Sequence, residues 1–481
     1  MMEKTTTTTT ASGAHEPHRK EVETKHQPTP AYSYFFFAFL ATAITLVLTL
    51  LITHHRSSTV SQSYHLIPLH DLHETIRDRD YAIVFDGGST GTRVHIFSFL
   101  IKPELKQRKI LLGGESYFYV KPGLSSYAAN VSGAAWSLEP LLRAAGRHVP
   151  SLLAPQTPLI LKATAGLRLL PGEVSQEILD SVQRRLEALP FKVATDAVSM
   201  LADQDEGLYA WYTVNFLLDR LHNISESIAT LDLGGGSTQV TFSTADVNTL
   251  VMSPPGFITR QHIEGEPEYI YSHSYLGNGL MSAREAILLR YSRVVGEERG
   301  VFSSEHHHLE KVHYRVMSPC FRSLGNHSST SWTSFNGHRF TIGYDRSVAA
   351  EEYGSDFAAC YQAAQHLVDA SAIDRPPELA QRAVYAMSYF YDRMKDIRVV
   401  REESGYVKVR DYFRYAEHLC GGTIRLKRQS PFLCLDLAYI AAYLHDGLGL
   451  PLHKDILLIK KFKGIEISWA LGAAINLFDI H

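Results

Sequence analysis

Two stretches decide how this chain is read: Asp86-Gly-Gly-Ser-Thr-Gly-Thr-Arg93 and, far downstream, Asp232-Leu-Gly-Gly-Gly-Ser-Thr-Gln239. The apolar run Ala82-Ile-Val-Phe85 precedes the first and Val94-His-Ile-Phe97 follows it; Ile228-Ala-Thr-Leu231 and Val240-Thr-Phe242 flank the second. Each reads as a strand, a Gly/Ser/Thr turn and a second strand. An offset of 232 − 86 = 146 residues superposes Asp86 on Asp232, Gly88 on Gly234, Thr92 on Thr238 and Val94 on Val240, so one device occurs twice. Glycines let backbone N–H groups close on an anion, and Ser and Thr hydroxyls add donors to phosphate oxygens. Each loop opens with an aspartate, a hard oxygen ligand that holds Mg²⁺ or Ca²⁺ directly or through water.

Two such loops facing each other across a cleft are the phosphate clamp of the actin-like, ribonuclease H-like α/β fold, in which two related lobes close on a nucleotide. That fold hosts kinases, chaperone ATPases and hydrolases, so the residues between the loops must select the chemistry. Pro158-Leu-Ile-Leu161 runs into Lys162-Ala-Thr-Ala-Gly-Leu-Arg-Leu-Leu170, which predicts a strand, a loop and a helix. Thr164 and the Ala165 amide are candidate donors to a terminal phosphate, and Arg168 is a candidate for shaping the loop. In Ala202-Asp-Gln-Asp-Glu-Gly-Leu-Tyr-Ala-Trp211, Leu208, Trp211, Tyr212 and Phe216 follow helical spacing, which puts Glu206 in the first turn of a helix.

The rest of the chain bounds the setting. With 47 Lys+Arg against 50 Asp+Glu the net charge is −3, which excludes a general nucleic-acid binder, and 45% hydrophobic residues mark a folded chain. Residues 1–33 are polar and biased, a cytosolic tail by expectation. Tyr34 to Thr53 is uncharged over 53 − 34 + 1 = 20 residues, enough for one transmembrane helix, and Lys4, Arg19, Lys20 and Lys25 before it outnumber Arg56 after it. The expected topology is single-pass type II, with a stem over 54–78 and the remainder lumenal or extracellular, in the Golgi and secretory pathway or at the plasma membrane. Asn130, Asn223 and Asn326 open glycosylation sequons. In such a compartment Cys320, Cys360, Cys420 and Cys434 form two bridges by any of three pairings. Cys420 with Cys434, 434 − 420 = 14 positions apart, is the local choice and leaves Cys320 with Cys360.

DGGSTGTR at 86–93, KATAGLRLL at 162–170, DEGLYAWYTVN at 205–215, DLGGGSTQVTF at 232–242 and WALGA at 469–473 resemble, in order, the five signature regions of the apyrases, or nucleoside triphosphate diphosphohydrolases. Lys121-Pro-Gly-Leu-Ser-Ser-Tyr-Ala128 is most similar to plant members. The resemblance implies hydrolysis of nucleoside tri- and diphosphates to monophosphates with Ca²⁺ or Mg²⁺. By it, Glu206 is the general base and Ser237 and Gln239 position the attacking water. Asp86 and Asp232 hold the hydrated metal. Gly88, Ser89, Thr90, Gly91, Thr92, Arg93, Thr164 and Ala165 bind phosphate from one side, and Gly234, Gly235, Gly236, Ser237 and Thr238 from the other. Tyr391, ahead of Tyr389, is expected to stack the base. Ala470 stands where the family often has Pro.

The implied lobes are 79–207, to which 460–481 returns, and 208–459. Three alternatives remain at this level: a diphosphatase preferring GDP or UDP that supports lumenal glycosylation, a catalytically weak nucleotide-binding glycoprotein, and a sugar kinase, which needs an Asp base. Oligomeric state is not legible. His306-His-His308 reads as a solvated loop and the segment around it, 299–315, as a decoration of the second lobe, and apolar spacing predicts helices over 358–370 and 378–394.

Overall fold

The structure, a computed structural model, describes residues 79–103, 108–301, 308–325, 328–347, 353–424 and 430–478. The predicted tail, membrane span and stem lie outside these residues; among those described, no helix is long and apolar enough to cross a membrane. Glu74–His481 forms one compact unit.

Its architecture is mixed α/β. Strands β1 (Arg79–Gly87), β2 (Thr92–Pro103), β3 (Arg108–Val120), β4 (Leu159–Ala163) and β5 (Val198–Met200) form a sheet in the order β3-β2-β1-β4-β5. β1 is the central strand, buried from Ala82 to Gly87, because both its faces are covered. Ile83 and Phe85 enter one core with Leu159, Leu161, Leu141 and Ile178. Ala82 and Val84, on the alternate face, pack with Phe97, Trp469, Leu471 and Ala474.

A second sheet uses β6 (Ala229–Leu233), β7 (Ser237–Ser243), β8 (Ile258–Ile263) and β9 (Glu266–Leu276). A side sheet follows in sequence, made of β10 (Ser292–Val301), β11 (His308–Ser318), β12 (Ser329–Thr333) and β13 (Arg339–Tyr344). The second sheet is completed by β14 (Val384–Ser388), β15 (Ser404–Lys408) and β16 (Asp455–Ile459), in the order β15-β16-β14-β6-β7-β9-β8. Within it β9-β7-β6-β14-β16 repeats β3-β2-β1-β4-β5, with the same two antiparallel and two parallel pairings. The 146-residue offset of the loops is therefore also a repeat of sheet topology. Asp86 pairs across the ladder with Arg93, and Asp232 with Gln239, at equivalent points.

Two expectations are corrected here. Residues 378–394 are not one helix: a short 3-10 turn over Pro377–Ala380 is followed by β14 and then the helix Tyr389–Asp396. β14 is buried between two parallel neighbours, and a short apolar run of that kind carries no periodicity that separates strand from helix. The segment 299–315, expected to decorate the second lobe, supplies parts of β10 and β11 in the side sheet, and His308, expected in a solvated loop, begins β11; His306 and His307 lie outside the described residues.

The first turn of the helix Asp203–Leu217 carries Glu206, and the expected lobe boundary at 207/208 falls inside this helix. It crosses the helix Ala470–Asn476 at Gly472, whose N–H donates to Thr213 Oγ1 at 2.8 Å. A Cβ on Gly472 would collide with the Tyr209 carbonyl and lie 2.8 Å from its Cα, so the WALGA glycine sets how close the two helices come. Ala470, in place of the frequent Pro, begins this helix fully buried.

All four cysteines are bridged, Cys320 to Cys360 and Cys420 to Cys434. The second bridge closes a local loop of separation 14 and ties the helix Val409–Cys420 to Leu433–Ala442.

Two outcomes follow. Gly472→Val overpacks the crossing and lowers unfolding free energy by about 1–3 kcal/mol in a denaturant titration, with loss of turnover because Glu206 rides on the displaced helix. Replacing Cys420 and Cys434 with Ser lowers stability by about 3 kcal/mol, the scale for a loop of this length, while nucleotide affinity measured by calorimetry stays within about twofold of wild type.

Candidate active site

The two glycine-rich turns meet face to face because each lacks the side chains that would keep them apart. A Cβ on Gly235 would collide with the Ser89 hydroxyl, one on Gly236 would lie 2.8 Å from Ala165 Cβ, and one on Gly166 would lie 2.6 Å from Ser89 Cα. The turn between β1 and β2, that between β6 and β7, and the segment after β4 are thereby gathered around one cleft of about 550 Å³.

Three buried carboxylates converge on it: Asp86, Asp232 and Glu206, at 8%, 9% and 8% exposure. Asp86 accepts from Arg93 Nη1 at 2.9 Å across the β1–β2 ladder, and its Oδ1 is buried without a partner. Asp232 Oδ1 is likewise unpartnered. Glu206 accepts from Arg168, which also holds Asp203. Arg168 thus shapes the loop after β4 by tying it to the helix that carries Glu206. On the opposite wall, Gln239 Nε2 donates to Ser237 Oγ and to Ser274 Oγ, both at 2.8 Å. Ser237 Oγ is engaged as an acceptor, which leaves its proton available to the cleft.

With this geometry in place, residues 73–481 match the GDA1/CD39 (nucleoside phosphatase) family. The chain belongs to that family. Among its relatives, ectonucleoside triphosphate diphosphohydrolase 5 of Gallus gallus is 39% identical over 404 residues, covering 83% of this chain and 87% of that protein. Ectonucleoside triphosphate diphosphohydrolase 6 of Mus musculus is 37% identical, over 83% of this chain and 82% of the other. The human nucleoside diphosphate phosphatase ENTPD5 is 36% identical, over 83% and 87%. A solved nucleoside triphosphate hydrolase structure from Neospora caninum superposes with a TM-score of 0.53 at 13% identity, over 89% of this chain and 97% of that one, a likeness of fold alone.

As a nucleoside phosphatase, the chain brings most of the expected residues to one place. Gly88, Ser89, Thr90, Gly91, Arg93, Thr164 and Ala165 line the cleft on one side, and Gly234, Gly235, Gly236 and Ser237 on the other. Gln239 lies behind Ser237 and acts on it. Three of the expected residues lie elsewhere. Thr92 is fully buried. Thr238 is also buried and donates to the Asn278 carbonyl at 2.8 Å. Tyr391 is in the second core, its hydroxyl donating to the Glu402 carbonyl at 2.7 Å. The aromatic of that helix that lines the cleft is Tyr389, with Arg393 over its ring at 5.2 Å; Tyr117, Tyr119 and Trp469 line it from other elements. The helix Tyr389–Asp396 sets this choice, since residues two apart point to different sides.

Sequence reading missed Lys460 and Lys461, which enter the cleft beyond β16; Lys460 pairs with Glu466 at 3.1 Å. The run Lys460-Lys461-Phe-Lys463 was visible, but only the sheet order carries it to the phosphate loops.

Burial pushes the Glu206 carboxyl up to about 8, against the pull of Arg168 and with the help of Asp232 and Asp86. Asp232 is raised by burial and by Asp86, with Ser388 and Arg93 opposing. Asp86 and Asp232 each present to this cleft wall a buried carboxylate oxygen without a partner, hard donors that fit a divalent cation held through water.

In metal-free protein the raised Glu206 has a definite sign. The folded state binds a proton that the unfolded state releases between its ordinary carboxyl range and about pH 8, so this contribution to stability is present at low pH and lost as pH rises through about 8. Glu206→Gln, measured in chelator, is therefore expected to gain thermal stability over wild type at pH 9 and to gain little at pH 4.5.

Proposed function

We propose that this nucleoside phosphatase hydrolyses nucleoside di- and triphosphates to monophosphates by attack of water on the terminal phosphorus, in a nucleotide cleft between two actin-like lobes. The observation that carries the reading is the convergence of Glu206 with both phosphate loops on one cleft, opposite the Gln239–Ser237 pair. The repeated five-strand order supports the two-lobed actin-like assignment.

The loop amides and the hydroxyls of Ser89, Thr90 and Thr164 take the terminal phosphate, with Arg93 and Lys461 adding charge at the wall. Asp86 and Asp232 hold a hydrated Ca²⁺ or Mg²⁺, which when bound neutralises phosphate charge. Ser237, held by Gln239, orients water, and Glu206 Oε takes its proton. Arg168 fixes the Glu206 carboxylate in place. Phosphoryl transfer needs positioning and charge more than covalent chemistry, so no phosphoenzyme is required. Tyr389 is the surface for the base.

A preference for diphosphates is the second reading, favoured by the similarity to the human protein named as a nucleoside diphosphate phosphatase. The bridged cysteines suit an oxidising lumen, consistent with a type II membrane protein of the secretory pathway.

Purified protein given di- and triphosphates of A, G and U is expected to release phosphate with Ca²⁺ or Mg²⁺ and to stop in EDTA. Glu206→Gln lowers kcat by about 10²–10⁴-fold with nucleotide KM little changed. Full turnover by that variant shows another base at work. Faster cleavage of GDP and UDP than of ATP supports the diphosphatase reading, and the reverse order removes it.

A further inference from the structure

The helix Leu433–Ala442 is buried along all ten of its residues, and one of them is a carboxylate: Asp436, with no exposed surface. Arg284 alone satisfies it. Arg284 Nε donates to Asp436 Oδ1 at 2.6 Å and Nη2 donates to Oδ2, a bidentate pair, while the guanidinium lies over the Phe432 ring at 4.3 Å. A buried ion pair gains little over apolar packing, so a second cation on the same carboxylate has a reason other than stability.

That second cation is Arg393. Its Nη1 donates to Asp436 Oδ2 at 3.1 Å, its Nη2 pairs with Asp396 at 3.1 Å, and its Nε is buried without a partner. The guanidinium is thus fixed by its two outer nitrogens, with its carbon 5.2 Å from the centre of the Tyr389 ring. Arg393 and Tyr389 both line the nucleotide cleft. Among the described residues no hydrogen bond holds the Tyr389 hydroxyl, unlike that of Tyr391, so apolar packing and Arg393 set the ring. The buried helix also reaches the phosphate side. Tyr439, three residues past Asp436, donates to the Asn278 carbonyl at 2.6 Å, the same atom that takes the Thr238 hydroxyl beside the second glycine-rich turn. One rigid element therefore ties the Tyr389 ring to the turn that faces phosphate.

We propose that Asp436 is a positioning residue of the base subsite: pinned by Arg284, it holds the Arg393 guanidinium across the Tyr389 ring and so fixes the surface on which the nucleobase stacks. This rests on the reading of Tyr389 as that surface. A platform already held in place binds a base without first giving up its own freedom, which is where the affinity comes from.

The test uses full-length protein and compares KM for GDP with KM for ribose 5-diphosphate, which carries the phosphates and no base. Arg393→Met, which leaves Asp436 paired with Arg284, is expected to raise the GDP value about 5-fold, the scale of one cation–π contact, and to leave the ribose 5-diphosphate value where it was. Asp436→Asn is expected to shift the ratio of the two values in the same way, and adding it to Arg393→Met to change that ratio no further, because Asp436 acts through Arg393. Asp436→Asn also lowers stability by weakening the partner of buried Arg284, but KM does not depend on the fraction of enzyme that is folded. An unchanged GDP KM in Arg393→Met, an equal rise for ribose 5-diphosphate, or a further change in the double variant overturns the proposal. A Tyr389→Leu variant whose ratio matches wild type removes instead the reading of Tyr389 as the base surface, which is a separate failure.

Discussion

The structure depends on bringing three carboxylates, Asp86, Asp232 and Glu206, into one cleft with little water around them. Burying like charges together is unfavourable unless they are protonated or paired, and burial does push both Glu206 and Asp232 upward. Arg93 and Arg168 offset two of the three charges. The remaining deficit is what makes the cleft receptive to a cation, and a nucleotide that arrives with a cation satisfies both needs. The small residues around it serve the same end. Gly235, Gly236 and Gly166 let the two turns touch, and Gly472 lets the helix of Glu206 lie close against its neighbour.

The duplicated lobes have diverged at single positions, and those differences divide the chemical work. At the ladder partner of the loop aspartate, the first lobe has Arg93 and the second has Gln239. The guanidinium there pairs with Asp86; the uncharged amide there donates to Ser237 instead. One residue past the aspartate's partner on the parallel side, the first lobe has Ala163 and the second has Ser388. In the proposed reaction the first lobe binds the anion and the second orders the water, on the same strand order. Net charge of −3 gives the whole chain no strong attraction for nucleotides, so these local groups carry the recognition.

What could be read from the sequence was local. The loops, the helix start at Glu206 and the 14-residue cysteine pair are each encoded within a short window; the structure gathers the loops and Glu206 at one cleft and bridges the two cysteines elsewhere. The misplaced Tyr391 has a definite cause: the phase of the helix Tyr389–Asp396 is set by the backbone of Ser388, whose positive φ leaves no mark on residue type. Residues 378–394 read as helix in sequence because β14 owes its state to neighbours β6 and β16, distant in sequence. Lys460 and Lys461 reach the cleft for the same reason. Thr92 and Thr238 look like further phosphate donors in a Ser/Thr-rich turn, but strand alternation turns them into the protein.

The central claim is that water, steered by Glu206 and Ser237, attacks the terminal phosphorus held between the two loops. Hydrolysis of GDP in ¹⁸O-labelled water tests it most directly, with mass spectrometry of both products after a single turnover. The account predicts one labelled oxygen in every phosphate released and none in GMP. Label in GMP would place the attack on the inner phosphorus and contradict the assignment of the cleft.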